Sequence, residues 1–440
     1  MLPGELRAAL HESPAVSPLT QTSPQAVRDA LRQRREIALI DLREEDEFAL
    51  GHPLFAVQLP ARRLAADAPW RLPRRDVPVV LYDDGQGLVE PAARWLHGQG
   101  WSQVSALAGG LEGWRHEDGE LFIDVNVPSK AFGELVEHEA GTPSLPASEV
   151  KSLLDRGADV VVLDARRFDE FQTMSIPQGV SVPGGELLLR ARSLAPDPRT
   201  HIIVNCAGRT RSLIGAQTLV NAGLPNPVHA LRNGTIGWLL AGFTLAHGEQ
   251  RRFGPTPHAQ RAEAQSRAHA LAGRAGALRI DAGTLAHWQA DATRTLYRWD
   301  VRTPEEYAAG HRPGFGSAPG GQLVQETDVF CAVRGARVVL ADDDGVRAAV
   351  TAHWLAQMGW EVAWLDDTDG LTETGLWQPV ADGHEAWPGS RARRYRRPYE
   401  GTDAPPEAMQ AYLDWEFGLV AQLARDGTHG FRVLRAAIEA

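Results

Sequence analysis

The sequence predicts an α/β protein built from three tandem units and a C-terminal helical tail. Each unit is expected to be a mostly parallel sheet with helices on both faces. Three observations carry this. "ALIDLREEDEFALGH" (38–52), "VVLDARRFDEFQTMS" (161–175) and "YRWDVRTPEEYAAGH" (297–311) repeat an apolar run, Asp-x-Arg, three residues, then Glu and an aromatic. A second block recurs as "PVVLYDDGQG" (78–87), "HIIVNCAGRT" (201–210) and "RVVLADDDGV" (337–346). The register is constant: Asp41 to Asp83, Asp164 to Cys206 and Asp300 to Asp342 are each 42 positions apart.

The elements follow in order within each unit. Both blocks are short β-branched runs, as buried parallel strands require. Helical segments come next and end in Gly100, Gly223 and Gly359, each 17 positions after its loop residue. A further strand follows in "VSALAGGLEGW" (104–114), "VHALRNGTIGW" (228–238) and "VAWLDD" (362–367). The units span 20–125, 140–250 and 275–385. Residues 127–146 read as one linker and 253–276 as a second, partly helical one. Residues 395–440 form the tail, in which 405–427 has apolar residues near helical spacing and predicts an amphipathic helix. The tail says little about chemistry.

Composition narrows the class. The chain has 440 residues, 43% apolar and 23% charged, which fits a folded globular protein rather than a disordered one. A net charge of −11 argues against nucleic-acid or anionic-membrane partners. No apolar run approaches a membrane span, and residues 1–18 lack the basic-then-apolar order of a signal peptide. Two cysteines cannot form a disulfide framework, so a reducing, cytoplasmic setting is expected. No metal-ligand spacing and no Gly-rich nucleotide loop occurs, so neither metal nor cofactor is expected.

Cys206 is the candidate for chemistry. It follows "IIV" at a strand's carboxyl end, where open α/β sheets bind ligands, and precedes a helix. Loop amides, the positive helix end, Arg209 and Arg211 would all favour a thiolate there. Gly208 lets the loop curl into a cradle of N–H donors. The competing reading is a buried structural cysteine. Asp83 and Asp342 at the sibling positions weigh against it, because a site that accepts carboxylate is not an apolar pocket. Cys331 precedes a strand, has nothing nearby to activate it, and reads as a buried spectator.

The Asp-x-Arg-x3-Glu-aromatic block with Gly51–His52 and Gly310–His311, the loop "CAGRTRS" (206–212) and "GGLEGW" (109–114) together resemble the signatures of rhodanese domains. More closely, the chain resembles multidomain sulfurtransferases in which one domain is catalytic and its neighbours are degenerate. The resemblance implies double displacement. Cys206 would attack the outer sulfur of a donor such as thiosulfate to form a persulfide. A thiol, cyanide or a protein acceptor would then remove that sulfur. The amides from Ala207 through Gly208, Arg209 and Thr210 to Arg211 would hold the persulfide anion, with Ser212 next to them, and Arg211 and Arg209 would bind the donor's oxyanion end. Related phosphatases and arsenate reductases place their arginine after five intervening residues. Arg211 follows Cys206 after four, a tighter loop that fits sulfur transfer.

The catalytic repeat departs from its siblings by lacking Gly-His. The segment 171–192 stands there, is expected to wall the pocket, and carries Arg190 and Arg192 within possible reach of substrate. A solvated helix face is the alternative for both arginines. Asp164 and Arg166 recur in the units without cysteine and read as structural, with Arg166 pairing to Glu170. Trp114 and Trp238 read as core. The third unit keeps Arg347 opposite Arg211 but loses the Gly-Gly-x2-Gly-Trp signature in "DDTDGLTETG" (366–375). The flanking units are expected to shape the entrance or dock an acceptor, since their carboxylates cannot carry sulfur. Two other activities remain open: a cysteine-dependent oxyanion reductase, and a non-catalytic scaffold or sulfide sensor.

Overall fold

The computed structural model describes residues 19–365, 370–378, 393–401 and 403–435. The reading of residues 1–18, part of "DDTDGLTETG" (366–369), the last residues of the third unit (379–385) and the end of the tail (436–440) lie outside the described residues.

Three five-stranded sheets repeat one order. The first contains β1 (Gln21–Thr22), β2 (Ala38–Asp41), β3 (Ala56–Gln58), β4 (Val79–Tyr82) and β5 (Val104–Leu107), arranged β1-β5-β4-β2-β3. The second contains β6 (Ser144–Leu145), β7 (Val160–Asp164), β8 (Val180–Ser181), β9 (His201–Asn205) and β10 (Val228–Leu231), arranged β6-β10-β9-β7-β8. The third contains β11 (Leu278–Ile280), β12 (Leu296–Asp300), β13 (Gly316–Ser317), β14 (Arg337–Ala341) and β15 (Glu361–Leu365), arranged β11-β15-β14-β12-β13. All pairs within the sheets are parallel. The central strands are buried on both faces, which is why they read as unbroken β-branched runs rather than alternating ones.

Asp164 is paired in register with Asn205, as Asp41 is with Tyr82 and Asp300 with Ala341. The two sequence blocks thus end side by side at the carboxyl edge of each sheet. There each Asp-x-Arg closes on itself. Arg166 donates to Asp164 through Nε (2.8 Å) and Nη2 (2.7 Å) and to the Met174 carbonyl (2.6 Å). Arg43–Asp41 and Arg302–Asp300 repeat this geometry. The expected Arg166–Glu170 pair does not form, because Asp164 and Met174 take the Arg166 guanidinium and Arg211 takes Glu170.

The second and third units face each other about a local pseudo-twofold axis. Gly184–Gly185 packs backbone to backbone on Gly320–Gly321, and these are equivalent positions in the two repeats. A Cβ on Gly185 would lie 3.1 Å from the Gly321 amide nitrogen, and one on Gly321 would lie 3.0 Å from the nitrogens of Gly184 and Gly185. A side chain at Gly185 or Gly321 would force the two backbones apart by a few tenths of an ångström.

The segment read as the first linker is instead a helix, Val127–Ala140, buried along its first ten residues. Its polar residues hid its core position because each has a buried partner. Lys130 donates to Asp124 (2.7 Å), Ser129 to the Gln325 carbonyl (2.6 Å), and Glu134 accepts from Arg209. Phe132 stacks edge-on against Trp354 and Phe431, tying three parts of the chain into one core. The second linker holds the helix His258–Ala275, and the tail holds the helix Pro406–Asp426. Among the described residues no helix is long and apolar enough to cross a membrane.

Candidate active site

Cys206 begins a loop that runs from central strand β9 into the helix Thr210–Asn221. The loop's first carbonyls are tied back. Thr235 N–H donates to the Cys206 carbonyl (3.0 Å), and Ile236 N–H donates to that of Ala207 (3.0 Å). Gly234, at φ 54°, makes this possible, since a Cβ there would lie 2.3 Å from the Cys206 oxygen. With the carbonyls drawn to one side, the amides of Ala207 to Arg211 donate to no backbone carbonyl among the described residues.

The siblings show what such amides hold. In the first unit Asp83 accepts from Gly85 N (3.1 Å) and Leu88 N (2.6 Å). In the third, Asp342 accepts from Gly345 N (2.9 Å) and Ala348 N (2.9 Å). A carboxylate fills each cradle from within. Cys206 has a shorter, neutral side chain, which leaves the cradle's capacity for an anion unfilled.

The thiol is 2% exposed and donates to Ser212 Oγ (3.3 Å), which donates onward to the Arg209 carbonyl (2.9 Å). Burial pushes the thiol above its ordinary range, against the pull of Arg211 and Ser212, and Glu416 pushes it further up. Burial thus opposes the thiolate that Arg211 and the loop favour.

Arg211 is bidentate to Glu170 (2.7 and 2.9 Å), whose carboxyl is held down at about 2 chiefly by that guanidinium, against the opposing effect of burial. This uses two of five guanidinium N–H groups. Arg211 also borders a cavity of about 260 Å³, shared with Thr173, Met174, Gln322, Arg397 and Tyr399. Its pseudo-symmetric mate Arg347 is engaged by four carboxylates: Glu186 (2.8 Å), Glu306 (2.6 Å), Asp343 (2.7 Å) and Asp344 (2.9 Å). At the equivalent positions Glu186, Asp343 and Asp344 are replaced by the uncharged Gln322, Ala207 and Gly208, so among the described residues Arg211 keeps Glu170 alone.

The remaining expected site residues separate. Arg209 turns away from the cavity to Glu134 (2.7 and 2.9 Å), Glu137 and Asn233 (3.0 Å), with its guanidinium over Phe417. Arg190 lies outside the cavity lining: Glu186 (2.9 Å) and Thr256 (3.0 Å) occupy it, and Arg192 bonds the Ala195 carbonyl and Asn226. Both therefore fail the expectation of reaching substrate. Ala207 is buried, Thr210 packs on Gly133, and Gly208 faces the tail helix. Of segment 171–192, Thr173 and Met174 form cavity wall.

The tail was expected to say little about chemistry, yet Arg397, Tyr399 and Glu400 line the cavity, and Glu416 packs on the loop. A signal was present. Glu416 interrupts the buried stripe Met409, Leu413, Leu419 and Leu423, a core position where an acid is out of place.

A rhodanese-like domain model matches residues 23–117 and 146–241. The crystal structure of thiosulfate sulfurtransferase from Pseudomonas aeruginosa is 50% identical, covers 95% of this chain and 100% of that one, and superposes with a TM-score of 0.92. The chain belongs to the rhodanese-like family. "Putative sulfur carrier protein YrkF" of Bacillus subtilis (strain 168) is 24% identical over 133 residues, 28% of this chain and 69% of that protein. Within this rhodanese-like chain only the second unit places a thiol in the loop; the first and third place Asp83 and Asp342.

Proposed function

We propose that the chain is a sulfurtransferase with one working centre at Cys206 and a persulfide intermediate. One observation carries the reading. The amide cradle that a carboxylate fills in the sibling units is unfilled around Cys206, beside an arginine with one carboxylate where its mate has four.

The donor is an anion with a transferable outer sulfur, for which thiosulfate is the simplest case, as the name of the Pseudomonas relative suggests. The donor's charge is met by Arg211, and the Cys206 proton leaves to solvent, with Arg211 and Ser212 favouring the thiolate against burial. The thiolate attacks the outer sulfur, a new S–S bond forms, and the old one breaks with its electron pair leaving on sulfite. The persulfide anion is held by the amides of Ala207 to Arg211 and by Ser212, whose hydroxyl turns from the Arg209 carbonyl to donate. A thiolate or cyanide then attacks the outer sulfur, and Cys206 leaves as thiolate. Arg211 and Gln322 receive the donor's oxyanion end. Arg209 fastens the loop to the Val127–Ala140 helix, and Asp164 with Arg166 fixes the strand end.

Intact-protein mass spectrometry of pre-reduced protein tests this after addition of thiosulfate or 3-mercaptopyruvate. One added sulfur that cyanide removes, absent in Cys206→Ser and present in Cys331→Ser, is the expected result. No adduct from either donor would sink it.

A further inference from the structure

Glu416 stands outside all three sheet units, on the tail helix, yet it touches the sulfur loop. Its side chain is 1% exposed. Tyr412 Oη donates to Oε1 (2.9 Å), while Oε2 has no hydrogen-bond partner among the described residues. That oxygen faces Gly208, two residues from the sulfur-bearing Cys206. A Cβ on Gly208 would stand 3.2 Å from Oε2 and 3.3 Å from the Tyr412 ring, so glycine is what lets the helix close on the loop.

The neighbouring charges do not supply a counter-ion. From the Val127–Ala140 helix, Lys130 is committed to Asp124 (2.7 Å) and Glu134 presents like charge. From the loop, Arg209 is committed to Glu134, Glu137 and Asn233, and Cys206 is itself an incipient anion. From residues 393–401, Tyr399 is buried beside it, and from its own helix only Tyr412 reaches it. An ionised carboxylate with an orphan oxygen in such a place is costly, and a proton removes the cost.

We propose that Glu416 is a positioning residue for sulfur transfer: the tail helix delivers a neutral carboxyl against the Cys206 loop, and that neutrality permits the sulfur to carry the negative charge. The inference rests on Cys206 as the reactive thiol. Ionising Glu416 puts a second negative charge next to the cradle and opposes both the thiolate and the persulfide. The tail thereby sets the upper limit of pH at which the loop stabilises anionic sulfur. Burial and the nearby Glu134 lift the Glu416 carboxyl to about 8, so it is neutral below that pH and charged above it.

The test reads thiolate directly, independent of any sulfur donor. Iodoacetamide alkylation of Cys206 in the full chain is followed by peptide mass spectrometry from pH 6 to 10. In the wild type the rate rises with pH but flattens to a shallower slope just above about 8, where the Glu416 charge holds the thiol proton on, before steepening again. In Glu416→Gln, neutral at every pH, it keeps rising, so that variant is faster than wild type by roughly threefold to tenfold at pH 9 and unchanged at pH 6.5, as a half to one unit in thiol acidity implies. Tyr412→Phe removes the bond to Oε1 and moves the flattening to higher pH. Superimposable profiles for wild type and Glu416→Gln would overturn the inference. Should Glu416→Gln not fold, the wild-type curve decides: a single thiol titration without flattening near 8 overturns it too. Failure of sulfur loading with these profiles intact would count against the sulfurtransferase reading while leaving the control of Cys206 acidity by Glu416 standing.

Discussion

Replacing Gln322 by Glu asks whether the third unit keeps the anion site open. By pseudo-symmetry the new carboxylate meets Arg211 as Glu186 meets Arg347, at about the 2.8 Å of that pair. Arg211 would then carry two carboxylates, and its charge would be cancelled before a donor arrives. A donor anion held by the remaining N–H groups would lie roughly 6 Å from the introduced charge. At that distance Coulomb repulsion is ~0.7 kcal/mol per charge in bulk water and ~3 kcal/mol at the effective dielectric typical near a protein surface. Arg211 is 15% exposed on its side chain, which puts the answer between these limits. Thiosulfate carries two charges, so kcat/KM for donor should fall roughly tenfold to a hundredfold, expressed in KM. Steady-state kinetics with varied thiosulfate, at two ionic strengths, measures it, and the loss should shrink at high salt. Glu186→Gln, the mirror change at the third unit's closed loop, is the control and should leave KM unchanged. An unaltered KM in a folded Gln322→Glu protein would refute the argument that Arg211 binds the donor and that Gln322 leaves it free to do so.

Glu170→Ala removes the carboxylate that aims Arg211, and kcat/KM for the donor should drop roughly tenfold to a hundredfold, the worth of charged hydrogen bonds. Because Glu170 is depressed to about 2, the pair's stabilisation is complete above the ordinary carboxyl range near 4.5 and is lost as pH falls from there towards 2; acid unfolding of Glu170→Ala should begin from a lower stability at pH 6 and converge with wild type near pH 2. Gly185→Ala forces a methyl to 3.1 Å from a backbone nitrogen across the unit interface, where nothing flexible can yield, and should cost about 1–3 kcal/mol in denaturant unfolding. Cys331 is pushed up to about 12 by burial, so Cys331→Ser should leave sulfur loading intact and iodoacetamide should not label Cys331 in the native protein at pH 8.

What the sequence made legible is what repeats. Two apolar blocks at fixed spacing place Asp164 and Cys206 at the carboxyl ends of neighbouring strands, and a single cysteine among aspartates marks the loop that differs. The illegible parts are those formed between repeats. The Arg166–Glu170 pairing was plausible from spacing alone, but Arg166 and Arg211 compete for the acids nearby, and only the fold says that Arg211 wins Glu170. Arg209 and Arg211 look equivalent as loop arginines. Residue 209 precedes the helix and points towards the Val127–Ala140 helix, whereas 211 sits on the helix's first turn and points across the sheet edge. That buried helix itself read as a linker because its polar residues are partnered only by the fold, Ser129 by Gln325 and Glu134 by Arg209, far away in the chain.

On the proposed function, the different pairing of Arg211 and Arg347 gives a physical reason for one unit to keep chemistry while another with the same fold does not. Both loops end strand and start helix alike, and both carry the arginine. In the third unit Asp342 fills the amide cradle while Asp343, Asp344, Glu306 and Glu186 engage the guanidinium, so every charge an anion would meet is already met. The third unit is thereby a stable, closed version of the site, and it spends Arg347 on holding the second unit through Glu186. Across the same axis the contact that would close the second site falls on Gln322, which has the length of Glu without its charge. The interface that joins the units therefore closes the arginine on one side and leaves it with a single carboxylate on the other, and Gln322 of the third unit lines the cavity that the proposed function makes the donor pocket.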